Sequence, residues 1–132
     1  MKDKAKCEEI AMEFKVELSN NDIDDIVAIA LEGGITYWCD EAKVVGDYLG
    51  EYASEQISKG GQLKLYDFEE EEYHLLTREK FIEGFKKYIA NPTASDIFEY
   101  VDGKLKLDTC YVDADVADAI IQYAIFGEIV YG

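Results

Sequence analysis

The chain has 132 residues and a mass of 15.0 kDa, the size of one domain. Thirteen basic against 29 acidic side chains give a formal net charge of −16, while 48% hydrophobic residues supply material for one core, which excludes a chain disordered by composition. The same excess of carboxylates argues against direct binding of DNA, RNA or anionic lipid, because those partners need cationic side chains that displace condensed counterions.

Taken in chain order, a helix is expected over about residues 3–14, with Ala5, Ile10, Met12 and Phe14 on an imperfect apolar face. Lys15-Val16-Glu17-Leu18 reads as a brief strand. Ser19 is a good N-cap, Asp22 falls in the first turn where a carboxylate favours the helix dipole, and Ile23, Ile26, Val27, Ala30 and Leu31 follow at helical spacing until Gly33-Gly34. Ile35 to Cys39 is β-branched and aromatic and predicts a strand, with Val44 and Val45 extending or pairing with it. Tyr48 to Ile57 is expected to be helical, stopped by Gly60-Gly61. Leu63–Tyr66 and Tyr73–Leu76 predict an antiparallel hairpin turning within Asp67–Glu72. Thr77 caps the next helix, whose Phe81, Phe85, Tyr88 and Ile89 share a face, and Asn91-Pro92 closes it. Phe98–Val101 and Lys104–Leu107 flank Asp102-Gly103, a strong two-residue turn signal. Asp113 caps a helix over about 114–126, Gly127 stops it, and Ile129–Tyr131 is expected to return as a short edge strand. The pattern predicts one α+β domain over 1–132, with a mostly antiparallel sheet of hairpins packed with about four to five helices and residues 1–14 peripheral.

The charge is spread evenly, with a net of −8 in residues 1–60 and again in residues 61–132, so it is no appended acidic tail. Such a surface either only solvates the fold or serves as a decoy for nucleic acid. Glu69-Glu70-Glu71-Glu72 is the densest run, between Asp67 and Phe68 on one side and Tyr73 on the other. On a hairpin tip it is either a wet loop or a projecting anionic finger. Asp22, Asp24 and Asp25 cluster at one helix start, and Asp113, Asp115 and Asp118 at another. Each group fits dipole complementarity, an acidic contact patch or a divalent-metal site, though neither has calcium-loop spacing. Ten tyrosines suit interfaces, being rigid apolar bodies with polar tips. Tyr37, Tyr52, Tyr88 and Tyr123 are expected in the core, and Tyr66, Tyr73, Tyr100, Tyr111 and Tyr131 at the surface. Tyr66-Asp67, Glu72-Tyr73 and Glu99-Tyr100 place aromatic and anionic groups side by side.

Signals for chemistry are missing. Cys7, Cys39 and Cys110 form no C-x-x-C pair and read as reduced thiols. His74 is the only histidine, flanked by Tyr73 and Leu75 as a strand residue would be. Arg78 is the only arginine, which argues against a sponge for anionic nucleotides, since such sites use the guanidinium fork. No phosphate-binding glycine loop, nucleophile elbow or zinc motif occurs. Accordingly no catalytic residue, metal or cofactor is expected. The Lys-rich start leads into Cys7-Glu8-Glu9 rather than an apolar signal core, and no apolar run reaches the roughly 18 residues of a membrane span. A cytoplasmic protein without a membrane partner is expected.

Three segments carry a resemblance. They are Ala30-Leu31-Glu32-Gly33-Gly34-Ile35-Thr36-Tyr37-Trp38-Cys39-Asp40, the stretch from Val44-Val45-Gly46-Asp47-Tyr48 to Ser58-Lys59-Gly60-Gly61, and Ile121-Gln122-Tyr123-Ala124-Ile125-Phe126-Gly127-Glu128-Ile129-Val130-Tyr131-Gly132. In these the chain resembles a group of short, acidic, uncharacterised proteins encoded by phages and prophages of Firmicutes. The likeness spans roughly residues 15–132, with Asn91–Phe98 more variable. It implies a mobile-element origin and carries over no catalytic residue. Small acidic phage proteins often block host defence enzymes, including CRISPR nucleases and restriction enzymes. The resemblance therefore implies an inhibitor acting in the cytoplasm of a bacterial host. Its partner would be a basic host protein that binds nucleic acid, contacted through Tyr66, Asp67, Glu69–Glu72, Tyr73, Asp22, Asp24, Asp25, Asp113 and Asp115. Two alternatives stand beside it. One is a homo-oligomer, such as a homodimer, built on the tyrosine-rich surface and the Ile129–Tyr131 edge. The other is a small enzyme or ligand sequestrant with an acidic, aromatic pocket.

Overall fold

Local signals at the helix starts act as the sequence predicts. In a computed structural model, which describes Glu8, residues 15–93 and residues 97–132, Ser19 caps α1 (Asn20–Ile29). Its Oγ accepts from the Asp22 N–H at 3.0 Å, and the Asp22 carboxylate accepts from the Ser19 N–H at 2.9 Å, a reciprocal capping box. Thr77 caps α2 (Arg78–Ala90) through the Lys80 N–H, and Asp113 caps α3 (Ala114–Phe126) through the Val116 N–H. Gly127 ends α3, as expected.

The strands form two small sheets instead of one. β1 (Val16–Glu17) pairs in parallel with β6 (Lys104–Leu107), which pairs antiparallel with β5 (Phe98–Val101). Asp102 and Gly103 both sit at positive φ, +51° and +79°, the twist that a two-residue hairpin turn requires. β2 (Cys39–Val45), β3 (Gln62–Asp67) and β4 (Glu72–Leu76) make an antiparallel sheet in that order, with an irregularity between Cys39 and Glu41. The α+β class holds, but there are three α-helices among the described residues, fewer than the expected four to five.

α3 is the central element. Its run Val116–Gln122 is buried throughout, and it lies against α2. Gly84 permits that approach, since a Cβ there would come within 2.5 Å of the Ala124 backbone nitrogen. Trp38, Phe81, Tyr88, Leu63, Leu65 and Ile120 are fully buried members of one hydrophobic cluster drawn from the helices and the β2–β3–β4 sheet.

Three expected elements fail for identifiable reasons. Ile35–Trp38 is a turn, because Ile35 and Trp38 are both buried and the Ile35 carbonyl accepts from the Trp38 and Cys39 N–H groups; the strand starts at Cys39. Tyr48–Ile57 forms only a 3₁₀ turn at Ala53–Glu55. Here the Glu55 carboxylate accepts from the Glu51 and Tyr52 N–H groups, and Gln56 bonds Leu49 and Asp47, so side chains take up the backbone that a helix would use. Gly50 within the stretch weakens a helix further. Ile129–Tyr131 is not a strand; its backbone is tied to a side chain, as described below. The helix expected over residues 3–14 lies outside the described residues except at Glu8, which is exposed and not helical. No helix of the described residues is long and apolar enough to cross a membrane.

Candidate acidic interface and its anchor

The hairpin of β3 and β4 carries the densest charge of the chain to an exposed tip. Phe68, Glu69, Glu70, Glu71 and Glu72 are all exposed, and Glu71 adopts φ +55° to close the turn. Asp67 behaves differently from its neighbours. It is 0% exposed, so it is not the partner-contacting carboxylate the sequence suggests. Its Oδ1 accepts from the Glu69 N–H at 3.0 Å and the Glu70 N–H at 3.1 Å, and its Oδ2 accepts from the Tyr131 hydroxyl at 2.8 Å. Asp67 is therefore the anchor beneath the finger. His74 stands in β4 as expected, its ring edge-on to Phe126 with centroids 4.9 Å apart. Its Nε2 lies 3.5 Å from Asp67 Oδ2 and 3.6 Å from Glu72 Oε1.

One flank of the finger is aromatic. Tyr66 and Tyr73 are register partners with ring centroids 4.9 Å apart, and Tyr73 is 45% exposed. The Tyr73 hydroxyl donates to Glu41 Oε1 at 3.0 Å, while the Lys43 ammonium lies 2.8 Å from the same oxygen. Lys43 first and then Tyr73 hold the Glu41 carboxyl below its usual range. Charge at the base of this flank is thus partly balanced, and unopposed anionic charge concentrates at the tip.

The other acidic groups differ in setting. The Asp22 carboxylate accepts from the Ser19 N–H in the capping box of α1, and Asp113 is the N-cap of α3. Asp24 and Asp25 are half-buried, and Asp24 Oδ1 is buried without a hydrogen-bond partner among the described residues. Asp115 is exposed, whereas Asp118 is buried in the core. Among the described residues no three of His, Cys, Asp and Glu converge as metal ligands. Tyrosine placement also departs from expectation. Tyr37 and Tyr52 are exposed, Tyr88 and Tyr123 pack inward, and Tyr131 packs on the core instead of facing solvent. Tyr66 is half-buried, and Tyr73, Tyr100 and Tyr111 are exposed as predicted.

What sequence reasoning missed is the polar network that fixes the anchor. Asp118 accepts from the Tyr37 hydroxyl at 2.5 Å, the Trp38 indole N–H at 2.9 Å and the Gln122 amide at 2.9 Å. Gln122, fully buried, accepts from the Val130 and Tyr131 N–H groups at 2.8 and 2.9 Å and donates to the Tyr131 carbonyl at 3.1 Å. Its amide thus clips residues 130–131 as a neighbouring strand would. Tyr131 then stacks on Trp38, centroids 5.5 Å apart, and reaches Asp67. The signal available in the sequence was polar Asp118 and Gln122 inside an otherwise apolar helix, four residues apart on one face. The clip also occupies backbone groups that the expected Ile129–Tyr131 edge would offer a second copy.

Burial first, then donation to Asp118 or Asp67, raises the hydroxyls of Tyr37 and Tyr131 above the usual tyrosine range. The ionised phenolate is disfavoured in the fold, so these bonds contribute stability that is complete below a pH of about 10 and declines above it. Thermal melts are expected to be flat from neutral to mildly alkaline pH and to fall beyond that value. Tyr131→Phe and Tyr37→Phe are each expected to flatten the fall; an unchanged slope in both would contradict this account.

No family model, no curated protein and no solved structure matches the chain.

Proposed function

We propose that this protein is a non-enzymatic binding module whose acidic finger enters the nucleic-acid channel of a basic host protein and competes with DNA or RNA there. The observation that supports it is the build of the finger. Four exposed carboxylates stand on a turn whose backbone is held from below by a buried fifth, Asp67. A turn fixed before binding loses less conformational freedom on docking than a wet loop does. Exposed Tyr73 and Phe68 beside the carboxylates supply apolar area for the centre of a contact. A mobile-element origin, implied by the resemblance above, gives such a decoy its setting among inhibitors of CRISPR nucleases and restriction enzymes.

The test begins with affinity capture from a bacterial host lysate and identification of the captured protein, followed by titration. Binding to a basic, nucleic-acid-binding partner is expected to weaken steadily as salt rises and to be displaced by that partner's own DNA or RNA. Replacing Glu69, Glu70, Glu71 and Glu72 together by Gln is expected to weaken it at least about tenfold, four rim charges contributing a few tenths to 1 kcal/mol each. A partner without a cationic groove, or affinity indifferent to the fourfold change, overturns the proposal.

A further inference from the structure

Away from the finger, an apolar groove of about 480 Å³ runs between β1 and α2. Arg78, Ile82, Phe85 and Ile89 fall at i, i+4, i+7 and i+11 on one face of α2, and Val16 and Leu18 line the groove with them. A single arginine therefore stands at the first turn of the helix and apolar side chains follow it along the same face. In a chain with 29 acidic side chains, this arginine pairs with none of the described ones. Lys43, Lys86, Lys104 and Lys106 each lie against a glutamate, and every lysine among the described residues is exposed to water. Arg78 is half-buried, and its partners are neutral: Nη1 donates to Asn20 Oδ1 at 3.0 Å and to the Ser58 carbonyl at 2.8 Å. Those two bonds fix the guanidinium, while its Nε and Nη2 have no hydrogen-bond partner among the described residues. A charge drawn partly out of water without a counter-ion is costly, and an anion placed against it offsets that cost.

We propose that the groove binds a small amphiphile with one carboxylate, of the medium-chain fatty-acid class, its head on Arg78 and its tail along Ile82, Phe85 and Ile89. Charge sets the head. One uncompensated cation suits one negative charge, because Lys86, the other cation on the groove, is already 3.2 Å from Glu83, and the net charge of −16 repels a polyanion. A planar carboxylate also matches the two donors that the guanidinium fork keeps open. Size and lining set the tail. The volume falls within the roughly 300–1,000 Å³ of small-molecule sites, which are mostly apolar with a few polar groups that fix orientation. From Arg78 to Ile89 the helix rises roughly 16 Å, room for an extended dodecanoate. This site is independent of what the finger binds.

Titration of the full chain with monomeric dodecanoate, followed by calorimetry and by NMR, tests it. One saturable site is expected, and filling it should move the Ile82 and Ile89 methyl signals and the Arg78 Nε–H signal together. Dodecanol, which has the same tail and no charge, is expected to bind at least about tenfold more weakly. Arg78→Gln is expected to bring dodecanoate down to the level of dodecanol, and Arg78→Lys to fall between, since an ammonium keeps the charge and loses the fork. Dodecanol binding as tightly as dodecanoate to the unaltered chain would overturn the proposal even if Arg78→Gln failed to fold. Shifts that leave Ile82 and Ile89 unmoved, or no saturable binding below the concentration at which dodecanoate forms micelles, would overturn it equally.

Discussion

Asp118→Ala is expected to lower folding stability by about 3–5 kcal/mol and the thermal midpoint by roughly 10–15 °C. The substitution strands the Trp38 indole N–H inside the core and takes the carboxylate from the Gln122 amide, which keeps the Tyr37 hydroxyl at 3.2 Å and the Tyr131 carbonyl at 3.1 Å; a stranded buried donor costs roughly 1–3 kcal/mol and each lost bond to a charged group roughly 1.5–3 kcal/mol. Tyr37 suffers less because its ring is half in solvent and its hydroxyl can turn to water. Asp118→Asn keeps one carbonyl oxygen for Trp38 but sets an amide N–H₂ toward other donors, so a loss of roughly half that size is expected. Trp38, the only tryptophan, sits within the network and reports unfolding by fluorescence in urea. A loss under 1 kcal/mol for the alanine variant would mean that the carboxylate is dispensable to the core.

Asp67→Ala is expected to cost about 2–3 kcal/mol, less than Asp118→Ala because the two tip N–H groups can find water once released. Its more telling effect is local. Hydrogen exchange at the Glu69 and Glu70 amides is expected to speed up at least tenfold, while the Leu63 and Leu65 amides change only as far as global stability dictates. Affinity for a basic partner is expected to fall in this variant although Glu69–Glu72 are all present. Asp67→Asn retains an oxygen facing the tip and should largely restore the slow exchange. Unaltered exchange at Glu69 and Glu70 in the alanine variant would show that the turn holds its shape without the anchor.

Elements governed by neighbours in sequence were legible. Ser19, Thr77 and Asp113 cap helices because capping is decided within one turn, and Asp102-Gly103 turns because its preference for positive φ is intrinsic. The finger was legible for the same reason, being a local hairpin around a run of glutamates. Its anchor was not. Asp67 is chemically like the carboxylates beside it, and only tertiary packing under Tyr131, 64 residues away, buries it. Tyr37 and Trp38 read as a strand because aromatic residues favour strands, whereas Asp118, 81 and 80 residues distant from them, decides where their polar atoms go. Tyr48–Ile57 misled in the opposite direction. Its apolar spacing is helical, but Glu55 and Gln56 satisfy the backbone by reaching back along the chain, a competition that periodicity does not register.

The bond from Tyr131 to Asp67 has a consequence for the timing of maturation. During synthesis the ribosome delivers residues 62–76 long before residue 131, and a hairpin of that length zips within microseconds. The glutamates are therefore on display early, on a turn that lacks one of the contacts on its anchor. Final rigidity waits for a loop of more than sixty residues to close, a slower event than any local pairing. On the function proposed above, nascent chains would carry their charge before their shape is finished, and full affinity for a basic partner would arrive only once Tyr131 has emerged and docked.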